Sequence, residues 1–170
     1  PLSEAYMKKN AFLFCAAPLP SNPLDAANSP ITDKNWHSHP AIIEVRVVFT
    51  EIEDGAKKKV LSKIPMSEPA GTAFIDAAGQ TRKFVSEGGS DDSAYTVSQY
   101  FDKAGILRFV LVKAGAVNGA SAEYRIYFDA AGQKIWENRT ITSKQGYTFP
   151  ESWPEDAIPR FTGKKRSEPE

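Results

Sequence analysis

The chain has 170 residues, of which 41% are hydrophobic and 25% charged, and its 21 basic residues balance its 21 acidic ones. This length supports one domain with a substantial core, and this composition excludes wholesale disorder. Because the formal net charge is zero, no overall field attracts nucleic acid, which is therefore not an expected partner. No apolar run approaches the ~18 residues that a membrane-spanning helix needs, so no transmembrane segment is expected. The single Cys15 excludes an internal disulfide.

Residues 1–39 are expected to be irregular, because closely spaced prolines interrupt any long helix there. Within them, Met7–Ala17 is basic and then apolar, which is the outline of a short export signal. We interpret this stretch instead as a short buried element of the folded domain.

The segment 40–64 has two patterns. Alternation of apolar residues from Ile43 to Phe49 is typical of a strand. A second set falls on one face of a helix, and Pro40 stands where a first helical turn would begin. That second set comprises Ile42, Val45, Phe49, Ile52 and Ala56. We expect a helix from residue 40 to about residue 53, followed by a turn and a short strand.

The segment 72–142 contains one motif three times, an aromatic or aliphatic pair followed by Asp, two residues and Gly. The three aspartates are Asp76, Asp102 and Asp129, spaced by 26 and 27 residues. In such a turn the Asp carboxylate accepts backbone N–H groups, and Gly supplies the positive φ that reverses the chain. The spacing predicts repeated β-hairpins. Calcium is a weaker alternative, since each motif offers only one carboxylate.

The strands around these turns are rich in aromatic and β-branched residues, and Glu87–Asp92 is expected to be a connecting loop. Residues 143–170 form a proline-rich tail that we expect to wrap over the domain. The predicted fold is therefore one α+β domain, residues 1–170, in which one main helix packs on a twisted antiparallel β-meander of about five or six strands.

The helical block with Glu44, the Tyr-Phe-Asp-x-x-Gly hairpins and Glu137-Asn138-Arg139 resemble small exported bacterial proteins that pair an N-terminal helix with such hairpins. The hairpins are also loosely similar to MORN-variant and YD-repeat units. The resemblance covers roughly residues 40–140 and implies an α+β architecture and an exported location in the bacterial periplasm or cell envelope. It brings no catalytic residue with it.

Two histidines, His37 and His39, could hold Zn²⁺ or Cu²⁺ with a third ligand such as Asp33, or could centre a small hydrolase. We interpret the pair as incidental and expect no metal and no cofactor, because the phosphate-loop, dinucleotide and zinc-site motifs are missing. Adjacent carboxylates are expected to be solvated surface. These are Glu51 with Glu53, Asp91 with Asp92, and Glu155 with Asp156.

Four aromatic residues remain as candidates for ligand binding, because Trp and Tyr on an exposed face can stack on a sugar or anchor a partner. They are Trp36, Trp136, Tyr147 and Trp153. The sequence thus favours a non-catalytic binding module whose ligand is a protein or a glycan. The alternatives are a hydrolase or metal-dependent enzyme at His37 and His39, and a structural protein that self-associates through its sheet edges.

Overall fold

The structure, a computed structural model, describes residues 29–161 and contains one α-helix on a seven-stranded antiparallel sheet. The predicted α+β class is therefore confirmed. Residues 1–28 and 162–170, with the predictions made for Met7–Ala17 and the end of the tail, lie outside the described residues.

The strands follow one another in the sheet in chain order, so every connection is a hairpin. A short 3-10 helix, Trp36–Ser38, leads into helix α1. The main elements are α1 (Pro40–Lys57), β1 (Ser62–Ser67), β2 (Ala70–Ile75), β3 (Thr81–Ser90), β4 (Ser93–Phe101), β5 (Leu107–Ala116), β6 (Ser121–Phe128) and β7 (Lys134–Thr142).

Helix α1 begins with Pro40 in its first turn, where a missing N–H costs nothing. The residue before it caps the helix, because Nδ1 of His39 accepts the N–H of Ala41 at 3.2 Å. The helical pattern prevails, with Ile42 and Val45 fully buried. The competing strand pattern arises because Ile43 and Val47 stand exposed on the outer face of the same helix.

The sheet has seven strands and not the expected five or six, because the first hairpin, β1 with β2, was predicted only in part, as a short strand before residue 64 and a hairpin segment from residue 72. Strand β1 is an edge strand that contains Pro65 and is exposed along almost its whole length. Such a strand shows no alternation of apolar and polar residues, and proline is tolerated only at an edge. Helix α1 ends at Lys57, one turn beyond the predicted end near residue 53.

The prediction that Glu87–Asp92 is a connecting loop is also wrong, because β3 continues to Ser90 and only a tight turn separates it from β4. Gly88 lies opposite Tyr95, and a Cβ added at Gly88 would come within 2.4 Å of the Tyr95 ring. An aromatic ring that covers a strand glycine compensates for the side chain the glycine lacks. Gly88 therefore belongs to a strand whose surface is covered by the Tyr95 ring.

The three Asp-x-x-Gly segments form turns with the same hydrogen bonds. At the third, Oδ1 of Asp129 accepts the N–H groups of Ala131 and Gln133 at 2.9 and 2.8 Å. The N–H of Gly132 donates to the carbonyl of Asp129 at 3.0 Å, and Gly132 has φ +78°. Each turn is followed by a strand whose register shifts by one residue.

Replacing Gly132 with alanine should lower the free energy of unfolding by about 1 kcal/mol, because positive φ strains any residue with a Cβ. A Cβ at Gly132 would meet its nearest neighbour at an ordinary 3.5 Å, so the backbone conformation alone should set the cost. The matched control is Gly115→Ala, since nothing lies within 4 Å of that Cβ. Urea unfolding of both variants tests this, and equal stability would contradict it.

The two faces of the sheet carry different coverings. Helix α1 contacts β4, β5 and β6 on one face. On the other, Phe149 and Trp153 of the segment 143–161 pack on Val110 and Tyr124, and the Tyr124 hydroxyl donates to the carbonyl of Pro150. Within residues 29–161, no helix combines the length and the apolar character required to cross a bilayer.

Candidate functional site

A row of charged contacts, here called the polar seam, fixes α1 on the sheet. Two arginines of the sheet bind carboxylates of the helix: Arg108 contacts Glu44 at 2.7 Å, and Arg82 contacts Glu51 at 3.5 Å. The arginine side chains are only 5% and 6% exposed. Arginine can occupy such positions because its planar fork binds several acceptors at once.

Each arginine of the polar seam also binds the Asp of the turn before its strand. Arg108 lies 3.4 Å from Asp102, and its Nε donates to the Phe128 carbonyl at 3.4 Å. Arg82 lies 3.7 Å from Asp76. The third turn departs from this arrangement, because the residue six positions after Asp129 is Ile135, which packs in the apolar cluster under the helix.

Glu53 completes the polar seam. Its Oε1 accepts from Nζ of Lys83 at 2.6 Å and from the Tyr100 hydroxyl at 2.9 Å. The expectation that Glu51 and Glu53 are only solvated surface is therefore wrong for Glu53. Burial alone would raise the pKa of Glu53, but these two hydrogen bonds outweigh burial and hold it below its ordinary value of 4.5. Burial and the neighbouring Glu53 charge raise the pKa of Tyr100, so its hydroxyl remains a donor.

Because the pKa of Glu53 is lower in the folded state, its ionisation stabilises the fold above pH 4.5. That contribution should disappear as the pH falls from 4.5 through the lowered native pKa. Unfolding free energies measured from about pH 6 down to about pH 3 should therefore fall less steeply for Glu53→Gln than for the wild type. Glu137, whose pKa is also lowered, supplies the comparison variant Glu137→Gln. Parallel wild-type and Glu53→Gln curves would refute the assignment.

Beside the polar seam, a half-open groove of about 520 Å³ lies between α1 and the sheet. The helix lines it with Val45, Arg46 and Phe49, and the 3-10 helix closes one end with Trp36 and His37. A volume in this range, with mainly apolar walls and a few polar groups, is typical of ligand sites.

The sheet side of the groove consists of three pairs of residues that face each other across β5 and β6. In order along the strands they are Phe109 with Tyr127, Leu111 with Arg125, and Lys113 with Glu123. Because alternate residues of a strand share a face, these pairs form one surface that passes from aromatic to charged.

The cationic groups of the groove differ in their partners. Arg125 forms an ion pair with Glu123 at 2.5 Å. Arg46 donates to the carbonyl of His37 at 2.8 Å, and its guanidinium stacks over Trp36 at 5.1 Å. Among residues 29–161, the side chain of Lys113 has neither an ion pair nor a hydrogen bond. The groove thus holds more positive than negative charge.

The structure divides the four predicted aromatic residues between the two faces of the sheet. Trp36 lines the groove, and Trp136 stacks behind it at 6.3 Å. Tyr147 and Trp153 lie on the opposite face, where Trp153 packs on Tyr124. The rings of Trp36 and Trp153 are each less than a tenth exposed, so neither offers an open stacking surface.

The two histidines have different surroundings. His37 is exposed, and its ring stacks on Trp36 at 3.8 Å. His39 is buried, with Nδ1 accepting from Ala41 and Nε2 lying 3.0 Å from the Ser29 carbonyl. This arrangement requires the neutral tautomer that carries its proton on Nε2. In the described part of the chain, no three His, Cys, Asp or Glu residues are arranged to hold a metal ion.

Sequence reasoning missed the residues of the sheet side of the groove. The available signal was the alternation in β5, where Phe109, Leu111 and Lys113 share a face and change from apolar to charged. A face that was only core would remain apolar to its end.

Comparison with known protein families, curated proteins and solved structures finds no match to this chain.

Proposed function

We propose that the protein is a non-catalytic binding module and that the groove between α1 and the sheet receives the apolar part of its ligand. The observation that carries the proposal is the groove itself, with about 520 Å³ of space between apolar walls in which Phe49 of the helix and Leu111 of the sheet are partly exposed. Binding that removes apolar surface of this kind from water lowers the free energy of the complex.

The geometry favours an apolar ligand group over a sugar ring. Glycan recognition through stacking requires open aromatic faces, and Trp36 and Trp153 are buried in their clusters. An apolar chain, free or carried by a larger partner, needs only the floor and walls of the groove. The location in the bacterial periplasm or cell envelope stays part of the proposal and rests on the sequence resemblance.

The two alternatives receive less support. An enzyme centred on His37 and His39 would need ring nitrogens available for chemistry, and both nitrogens of His39 are engaged with the backbone. Self-association through β1 would need a continuous row of free N–H groups, which Pro65 interrupts.

The test uses N-phenyl-1-naphthylamine, a neutral probe whose fluorescence rises when it leaves water. It should bind the wild type with saturation at one site per chain. Leu111→Glu should weaken its binding at least about tenfold, because a carboxylate on the floor must be desolvated by the probe.

The matched control is Val117→Glu, which introduces the same charge at an apolar side chain that is 83% exposed and outside the groove. That variant should bind the probe like the wild type. Circular dichroism of both variants checks that the fold is retained. If the wild type fails to bind, or if Leu111→Glu binds equally well, the groove is not the site.

A further inference from the structure

We infer that the natural ligand of the groove is an amphiphilic anion, whose apolar chain lies between Phe49 and Leu111 and whose acidic head group binds Lys113. This inference rests on the proposed function, since it specifies the ligand class of the same groove. It goes further in assigning Lys113 as the residue that selects for charge.

The groove carries an excess of positive charge. The groove is lined by the cations Arg46, Lys113 and Arg125 but by a single carboxylate, Glu123. Glu123 is already bound to Arg125 at 2.5 Å, which leaves Lys113 and Arg46 without a carboxylate. The whole chain has zero net charge, so this local excess is a property of the groove and not of the protein. An anion is the complement of such a surface.

The residues on the sheet side of the groove pass from aromatic to charged. The aromatic pair Phe109–Tyr127 and the charged pair Lys113–Glu123 are separated by one further pair on the same face. The four residue steps from Phe109 to Lys113 span roughly 13 Å along the strand. A ligand with a chain of several carbons and an acidic end can therefore satisfy both ends of the groove at once.

Arg46 is the second cation of the groove that has no carboxylate partner. The guanidinium of Arg46 is held by the His37 carbonyl and by the face of Trp36. This fixes its position on the helix side of the groove, while Lys113 extends from the sheet side. Lysine carries a compact charge on a flexible stem, so Lys113 can follow the head group of the ligand while Arg46 stays fixed beside Trp36.

The test is displacement of N-phenyl-1-naphthylamine by four compounds with eight carbon atoms each: octanoate, octyl phosphate, octanol and octylammonium. Octanoate or octyl phosphate should displace the probe at about a fivefold to tenfold lower concentration than octanol. Octylammonium should be the weakest. The comparison of the two anions distinguishes a carboxylate from a phosphate head group.

The variant Lys113→Met keeps most of the apolar stem and removes the charge. It should bring the displacing concentrations of the two anions close to that of octanol. Lys144→Met, at an exposed lysine outside the groove, is the control and should preserve the preference.

Equal displacement by all four compounds, a preference for octylammonium, or an anion preference that survives in Lys113→Met would overturn the inference while leaving the binding module intact. If the neutral probe itself does not bind the wild type, the proposed function fails, and the ligand class fails with it.

Discussion

Replacing Trp36 with alanine is expected to lower the free energy of unfolding by about 3 kcal/mol, the largest loss that we predict for a single residue. Trp36 is 7% exposed and joins the start of α1 to the sheet. The centroid of its ring lies 6.1 Å from that of Tyr127 and 6.3 Å from that of Trp136, and the ring supports the Arg46 guanidinium. Truncation leaves a cavity at a place where three elements meet, and the surrounding side chains cannot all close it.

Chemical unfolding with circular dichroism measures this loss. Trp36→Phe should retain more than half of the stability that Trp36→Ala loses, because a smaller ring still fills part of the site. A solvent-exposed control, Val117→Ala, should change stability by less than about 0.5 kcal/mol. If Trp36→Ala costs no more than this control, Trp36 does not hold the helix on the sheet.

Replacing Arg108 with methionine should cost about 2–3 kcal/mol, because it leaves buried acceptors without a partner. Methionine preserves the length of the stem and removes the guanidinium. The carboxylate of Asp102, 19% exposed, then loses its cation, and so does the carbonyl of Phe128. Glu44 is 61% exposed and is rehydrated, so its share of the loss is small.

Two comparisons separate the contribution of the exposed partner of Arg108 from that of its buried partner. Glu44→Gln removes the exposed partner alone and should cost less than about 1 kcal/mol. Asp102→Asn combined with Arg108→Met should recover part of the loss, because the amide removes the stranded negative charge while its oxygen can still accept the turn N–H groups. An Arg108→Met protein as stable as the wild type would show that the polar seam does not stabilise the fold.

The parts of the fold that follow from local rules were predictable from the sequence. Pro40 and the spacing of Ile42, Val45 and Ile52 specify a helix that begins where the structure has it. The strands β4 to β7 have aromatic and β-branched residues in sufficient number to be recognised. These features depend on neighbours in sequence, which a pattern can record.

The site depends on neighbours in space and was less accessible. That Glu53 meets Lys83 and Tyr100 requires the distance between helix and sheet, and no periodicity in either segment contains it. The division of Trp36 and Trp153 between opposite faces likewise follows from how the C-terminal segment crosses the sheet. One usable hint was present: two of the three turn aspartates have arginine six residues later, and the third has Ile135.

The most direct test of the central claim is a map of backbone amide NMR shifts during titration with N-phenyl-1-naphthylamine. The account predicts saturable shifts centred on residues 109–113 and 123–127 and on the facing part of α1, near Arg46 and Phe49. The amides around Trp153, on the opposite face, should remain unchanged. Shifts confined to that opposite face, or no saturable shifts anywhere, would contradict the claim that the groove is the binding site.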